Sequence, residues 1–382
     1  MTNRRYRFLL SLSLLVFILI STLAFAADYN VFVGTYTGPH SKGIYVFHFD
    51  PATGKFTQPQ LAAETENPSF LALDPHDHFL YAVNELEKFQ GKQSGAVSVF
   101  AIDPRTDKLT FRQQVSSLGT DPAYIAVDHS GKDVLVANYT SGSVAVFPIK
   151  PDGTLGEKTA FDQHAGTGPD HERQEGPHAH SIQLTNDNRF AMSADLGIDK
   201  VIIDRFDAAR GTLTPDTPPF ASVTGGSGPR HLAFDHSGKF VYLLSEMATT
   251  VTVFSLDPKT GALREIQTIP TVEKHDSANT GAEIAIDPSG RFLYTSTRGV
   301  DVITQFSIDP HSGKLTLVGR TPSGGKMPRF FALDPTGHWM FVANQDSNNI
   351  VLFRVDRATG KISRIAGMEV GAPVSLVFIP AH

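Results

Sequence analysis

Short apolar runs, broken at regular intervals by Asp, Gly, Pro and Ser, recur along nearly the whole chain. Residues 228–263, GPRHLAFDHSGKFVYLLSEMATTVTVFSLDPKTGAL, show the unit. HLAF precedes a turn over residues 235–239, FVYLLSE and TVTVFSLD follow, and a second turn at residues 258–261 leads into a weaker run from Leu263. β-Branched and aromatic residues fill the runs, and residues that reverse the chain cheaply fill the gaps, so the unit reads as four antiparallel strands. One unit cannot bury its own apolar faces. The pattern recurs from Asn67, Asp121, Pro177, Thr280 and Met327, with matching turn positions at Asp74, Asp128, Thr185, Asp235, Asp287 and Asp334. A period of about fifty residues with four strands per repeat predicts an all-β fold, a β-propeller. The C-terminal run VSLVFI supplies one more innermost strand, and NVFVGTYT and GIYVFHFD near the other end supply its partners. Six whole units and one split unit predict a seven-bladed β-propeller of four-stranded antiparallel blades, closed by pairing of N- and C-terminal strands.

The first 26 residues stand apart from this pattern. Arg4, Arg5 and Arg7 precede an apolar run over residues 8–20, and Ala24, Phe25 and Ala26 offer a cleavage site, so residues 1–26 read as a signal peptide. The protein is expected to be periplasmic or secreted, free of the membrane after cleavage, with one domain over 27–382 acting as a monomer. There is no cysteine, so neither disulfides nor a lipid-modified cysteine enter the picture. Loss of three arginines with the leader makes the mature chain more acidic than the formal charge of −6, which argues against a nucleic-acid partner. One long irregular stretch, residues 157–176, is dense in ionisable groups and joins the second and third blades.

Strands in a blade run up and down. Residues just before each first strand therefore share a face with residues just after each second strand, and together they ring one mouth of the central channel. Before first strands lie Pro68 and Ser69, Ala123 and Tyr124, His178 and His180, Arg230 and His231, Glu283, and Arg329. After second strands lie Asn84 and Glu85, Asn138 and Tyr139, Asp195, Glu246, Arg298, and Asn344 and Gln345. Three arginines, three glutamates and several histidines gather there, whereas the opposite turns need only turn chemistry. Guanidinium forks grip carboxylate or phosphate, so the mouth suits a small anionic ligand, unless each arginine is spent on a neighbouring glutamate. His178 and His180 have a spacing that a zinc site would use, but no cysteine and no compact carboxylate–histidine set accompanies them, so no metal is expected. No glycine-rich phosphate loop appears, so no nucleotide cofactor is implied.

The motifs GPRHLAF with its downstream SE, RQEGPHAHS and LYTSTRG resemble the seven-bladed lactonase family, which includes 6-phosphogluconolactonases and is similar to fungal muconate-lactone cyclases. The resemblance covers nearly the whole mature chain and implies a lactonase acting on a small-molecule lactone without a cofactor. It places the functional set on His180, Arg230, Glu246 and Arg298, and it extends to Arg173 and Gln174, His178, Glu283, Asn84 and Glu85; Arg329 joins them from the mouth ring. Thr297 departs from the family pattern, in which Asn tends to precede the Arg-Gly. The export signal points to a free aldonolactone or another carboxylated lactone.

Lactone hydrolysis needs an activated water, a donor for the tetrahedral oxyanion and a hold on the substrate. Glu246 or His180 is the expected general base, with Arg230 and Arg298 on the substrate anion or the oxyanion. No serine sits in a nucleophile elbow. A lactone-forming cycloisomerase would use the same cationic mouth, and a non-catalytic exported propeller binding a partner is the remaining alternative.

Overall fold

The computed structural model describes residues 28–103, 106 and 108–381; the signal peptide read over 1–26 lies outside them. Seven sheets form a ring. Blades one to six occupy residues 70–116, 122–163, 179–222, 229–270, 280–322 and 328–369, each with its strands in sequence order from channel to rim. The seventh blade starts with the C-terminal strand Pro373–Pro380 and continues outward through Tyr29–Thr35 and Gly43–Asp50; two short pieces, Lys55–Phe56 and Gln60–Glu64, share its outer edge. Pairing runs from Tyr29 opposite Pro380 to Thr35 opposite Pro373. Innermost strands touch in succession, and Pro373–Pro380 contacts both Pro328–Leu333 and Phe70–Leu73, which closes the circle.

The apolar pattern follows from this stacking. Successive side chains on a strand point to opposite faces, and each face of an inner strand meets a different neighbouring blade. In Phe240–Ser245, Val241 and Leu243 join the core shared with blade three, while Tyr242 and Leu244 join the core shared with blade five. Second strands are therefore buried on both faces and read as continuous apolar runs. Outer strands such as Leu263–Pro270 are largely part-buried or exposed. One hydrophobic cluster fills each blade interface, seven in all.

The repeated acidic turn residue has a defined task. The Asp287 carboxylate accepts from the backbone N–H groups of Ser289, Arg291 and Phe292, and Asp235 and Asp334 do the same in their blades. Thr185 performs a reduced version, its hydroxyl accepting from Phe190 N–H. Blades are also stapled across the opposite face. The hydroxyls of Tyr81, Tyr242 and Tyr294 donate to the carbonyls of Gly153, Gly313 and Gly360 in the following blade, and the Trp339 indole donates to Pro51 in the seventh. Gly360 sits at φ +74°, and a Cβ there would collide with the Phe292 ring. Gly360→Ala is expected to cost about 3 kcal/mol of unfolding free energy, from left-handed backbone strain plus overpacking. Tyr294→Phe should cost about 1 kcal/mol, one hydrogen bond; chemical denaturation of both variants measures the difference.

Among the described residues no helix is long and apolar enough to cross a membrane. The stretch read as irregular over 157–176 contains a strand, Ala160–Gln163, the short fourth strand of blade two. Its sequence, AFDQ, is too short and polar to register as an apolar run. It pairs with Ser143 to Val146. Between the outer strand of blade one and residues 147–158 lies a groove of about 590 Å³ lined by Phe147, Leu155, Leu118 and Lys150.

Candidate active site

The mouth is shaped by irregularities in the innermost strands. In blades two, three, four and six the pairing slips by one residue near the strand start, leaving Ala123, His180, Arg230 and Arg329 as the extra residues. A β-bulge bends the strand and re-aims a side chain, and here it turns one residue per blade toward the channel axis. In blade five two residues, Ala282 and Glu283, stand opposite one, Ser296.

Glu246, following the second strand of blade four, is the hub. Its Oε2 accepts from Arg230 Nε at 3.0 Å and pairs with the charge of Arg298, whose Nη2 lies 2.9 Å away, and its Oε1 accepts from Arg173 Nη2 at 2.8 Å. Burial opposes ionisation of this carboxyl, but Arg298, Arg230 and Arg173 outweigh it and hold the group far below the usual carboxylate range. Glu246 is thus a fixed anion with its lone pairs occupied, a poor proton acceptor. Arg230, 2 % exposed, also donates through Nη1 to the carbonyl of Ala282. Burial pushes its guanidinium down to about 9, with Arg298 and Arg329 adding to the push, so it remains a cation at neutral pH.

His180 is buried beside this cluster, its Nε2 3.8 Å from Glu246 Oε2. Burial, then the charges of Arg230, His231 and Arg329, keep the imidazole neutral well below its ordinary range. Its Nδ1 has no hydrogen-bond partner among the described residues, and neither has Arg298 Nε. Both residues line one cavity of about 210 Å³, with these two atoms turned into the buried side. Tyr139 packs edge-on to His180 with ring centroids 5.3 Å apart. Arg173 arrives from the loop between blades two and three. That loop is fixed at its start by His164 Nδ1 on Asp195 Oδ2 at 2.6 Å, and further on by Gln174 Nε2 donating to the Leu196 carbonyl. Asp195 Oδ1 also accepts from His178 N–H, so one carboxylate ties the loop to the PHAH strand.

On the far wall the Tyr36 hydroxyl donates to the Glu85 carboxylate at 2.8 Å, and Arg329 lies over the Tyr36 ring, 5.2 Å from its centroid and 3.8 Å from Glu85 Oε2. Phe70, Tyr124, His231 and Phe330, from blades one, two, four and six, pack together in the channel, Phe70 and Tyr124 with centroids 4.2 Å apart. Together with His180, which touches His231, they make the mouth a well with an aromatic floor.

Of the residues singled out in the sequence, His180, Glu246, Arg298, Arg173, Glu85 and Arg329 line this cavity, and Arg230 lies directly behind Glu246. Others turn into the framework. The Asn84 amide donates to Thr65 and Glu66 and accepts from Ser98 and Gln114. Gln174 braces its own loop, and Glu283 bonds to His231. His178 stacks on Tyr139 and bonds its carbonyl through Nδ1 at 3.2 Å, so the bulge at His180 separates the roles of the two histidines. Thr297 takes the framework place that Asn138 and Asn344 hold in their blades: its hydroxyl lies 3.2 Å from that of Thr271, as their amides reach the carbonyls of Ser117 and Ser323. Among the described residues no group of three or more His, Asp or Glu is arranged to hold a metal ion. Tyr36 was missed. It follows the second strand of the split blade, the position occupied by Glu85 and Tyr139 elsewhere, and extending the repeat across the chain ends would have found it.

The family described as "Lactonase, 7-bladed beta-propeller" matches residues 30–378. The chain is 36 % identical to a 6-phosphogluconolactonase of Bacillus subtilis over 79 % of its own length and 84 % of the relative's. It is 35 % identical to a 6-phosphogluconolactonase of Formosa agariphila, covering 79 % and 85 %. The structure of a periplasmic gluconolactonase from Pseudomonas aeruginosa superposes with a TM-score of 0.87 at 35 % identity, covering 93 % of this chain and all, 100 %, of that one. A matching blade number, a family match over residues 30–378 and identity of this extent leave one conclusion: the chain belongs to the seven-bladed β-propeller lactonase family.

Proposed function

We propose that the protein hydrolyses the ester of a sugar-acid lactone in the well at the propeller mouth. The observation that carries the reading is the convergence of neutral His180 with Arg173, Arg298, Arg329 and Glu246 on one cavity the size of a small ring. The neutral His180 imidazole, its Nε2 3.8 Å from Glu246 Oε2, takes a proton from water as the water oxygen adds to the lactone carbonyl. The oxyanion that forms accepts from the Arg298 guanidinium, a donor already in place and charged. Collapse of the tetrahedral species breaks the ring C–O bond, and the imidazolium returns its proton to the departing alkoxide, giving the open hydroxy acid. The fixed charge of Glu246 stabilises the transient imidazolium. Arg173 and Arg329 hold the substrate's hydroxyl oxygens and, after ring opening, the product carboxylate.

Four guanidiniums face the carboxylates of Glu246, Glu85 and Glu283, so the site carries only a small positive excess. That balance, the leader-like residues 1–26 and the likeness to a periplasmic gluconolactonase support an exported enzyme acting on a free aldonolactone. Proton release by purified protein, followed at constant pH over glucono-1,5-lactone, its 6-phosphate and other aldonolactones, tests the reading; rates equal to the spontaneous background for all of them would sink it. Because His180 must be neutral to act and its imidazole is held well below 6.5, the acid limb of kcat/KM is expected below that pH, with full activity retained at 6.5. An acid limb above 6.5 would assign the base elsewhere.

A further inference from the structure

We infer that His231 and Glu283 form a buried positioning pair, which holds the Arg230 guanidinium in place through the lone pair on His231 Nε2. Neither residue lines the cavity of about 210 Å³; the His231 ring lies in the aromatic floor beneath it. The bulge in blade five presents two groups at once to blade four: the Ala282 carbonyl, which accepts from Arg230 Nη1, and the Glu283 side chain, whose Oε2 lies 3.1 Å from His231 Nδ1. A carboxylate only accepts, so Nδ1 carries the ring proton. Burial, with Arg230 beside it, favours neutral His231, which leaves Nε2 bare, 3.5 Å from Arg230 Nη1. Arg230 is thus gripped by Glu246, Ala282 and His231, and the grip fixes the carboxylate that faces His180. The His231 ring is itself immobilised, with centroids 5.1 Å from His180 and 5.2 Å from Tyr124.

Glu283→Gln tests the pair because one backbone group dictates how the amide must sit. Glu283 Oε1 accepts from Ile284 N–H at 2.9 Å. In the variant the amide oxygen takes that place and the NH₂ faces His231 Nδ1. The ring proton then moves to Nε2, where it meets the Arg230 N–H head-on, the same loss of tautomer control known from the aspartate of serine-protease triads.

Nitrogen NMR of histidine-labelled protein is expected to show His231 as the Nδ1–H tautomer in the wild type and as Nε2–H in Glu283→Gln. This arm needs no substrate, and an unchanged tautomer overturns the proposal. The kinetic arm rests on the lactonase reading. Glu283→Gln and His231→Leu should lose about 10- to 100-fold in kcat with KM little changed, the cost usual for removing a group that orients a functional one. His231→Gln, whose amide can donate to Glu283 and accept from Arg230, should recover most of the rate. A role in stability alone would lower the melting temperature of His231→Leu without moving kcat, and that result also overturns the pair. Should Glu283→Gln fail to fold, the contrast between Leu and Gln at position 231 decides. Absence of wild-type hydrolysis on every lactone would refute the lactonase reading and leave the tautomer result to decide the pair.

Discussion

Deleting residues 373–382 is expected to abolish cooperative unfolding. The lost strand supplies the innermost ladder of the seventh blade, pairing with Tyr29–Thr35 along its whole length. It also puts Leu376 into the core shared with blade six and Ile379 into the core shared with blade one, and Val374 is 2 % exposed. Each fully buried aliphatic side chain is worth about 1.5–3 kcal/mol, so these three with half-buried Val377 and Phe378 amount to roughly 6–12 kcal/mol. That matches the entire stability of a typical domain, about 5–15 kcal/mol. The deletion also leaves the edge of Tyr29–Thr35 unpaired and takes from the first blade the Ser375 hydroxyl to which Leu71 N–H donates. Circular dichroism melts and limited proteolysis of the truncated chain provide the check; a melting temperature within a few degrees of wild type would show that the ring closes without this strand.

The closure was legible because both ends carry apolar runs with no partner of their own, and the repeat counts one unit short without them. The turns were legible for a similar reason: an Asp followed by Gly and then an apolar run has few uses besides accepting the backbone N–H groups of its own reversal. The face on which the site forms also followed from strand direction alone. What the pattern could not give is which of two adjacent mouth residues enters the well. Alternation by two would pair His178 with His180, but the bulge between Ala179 and Ser181 adds a residue, and nothing in PHAHS announces it. Loop travel was equally hidden. Arg173 was read beside a long connection, and only the His164–Asp195 and Gln174–Leu196 anchors bring it over blade four to reach Glu246. The sequence left Glu246 and His180 as equal candidates for the base, and the difference between them is electrostatic: three guanidiniums converge on one and leave a nitrogen of the other free.

That difference gives the sharpest expectation for a single residue. Glu246→Gln is expected to destabilise the fold as well as to silence it. Replacing the carboxylate leaves Arg230 and Arg298, both under 9 % exposed, without their counter-charge and opposes an NH₂ group to guanidinium N–H donors. Breaking a buried ion pair by removing one partner costs about 3–5 kcal/mol, and Arg173, two-fifths exposed, adds little because solvent screens it. Since the folded-state carboxyl titrates below its ordinary 4.5, its stabilising contribution is complete above that pH and is lost as pH falls toward the folded value. The stability gap between wild type and Glu246→Gln should therefore be full at neutral pH and narrow on acidification below about 4.5. Arg230→Lys should fall between wild type and Arg230→Ala, because an ammonium cannot grip Glu246, Ala282 and His231 together. Denaturant titrations at several pH values, run alongside kinetics, separate the two roles open to Glu246. A variant as stable as wild type at neutral pH that loses only kcat would make Glu246 the general base; a variant with the pH-dependent stability loss makes it the anion around which the site's arginines are assembled.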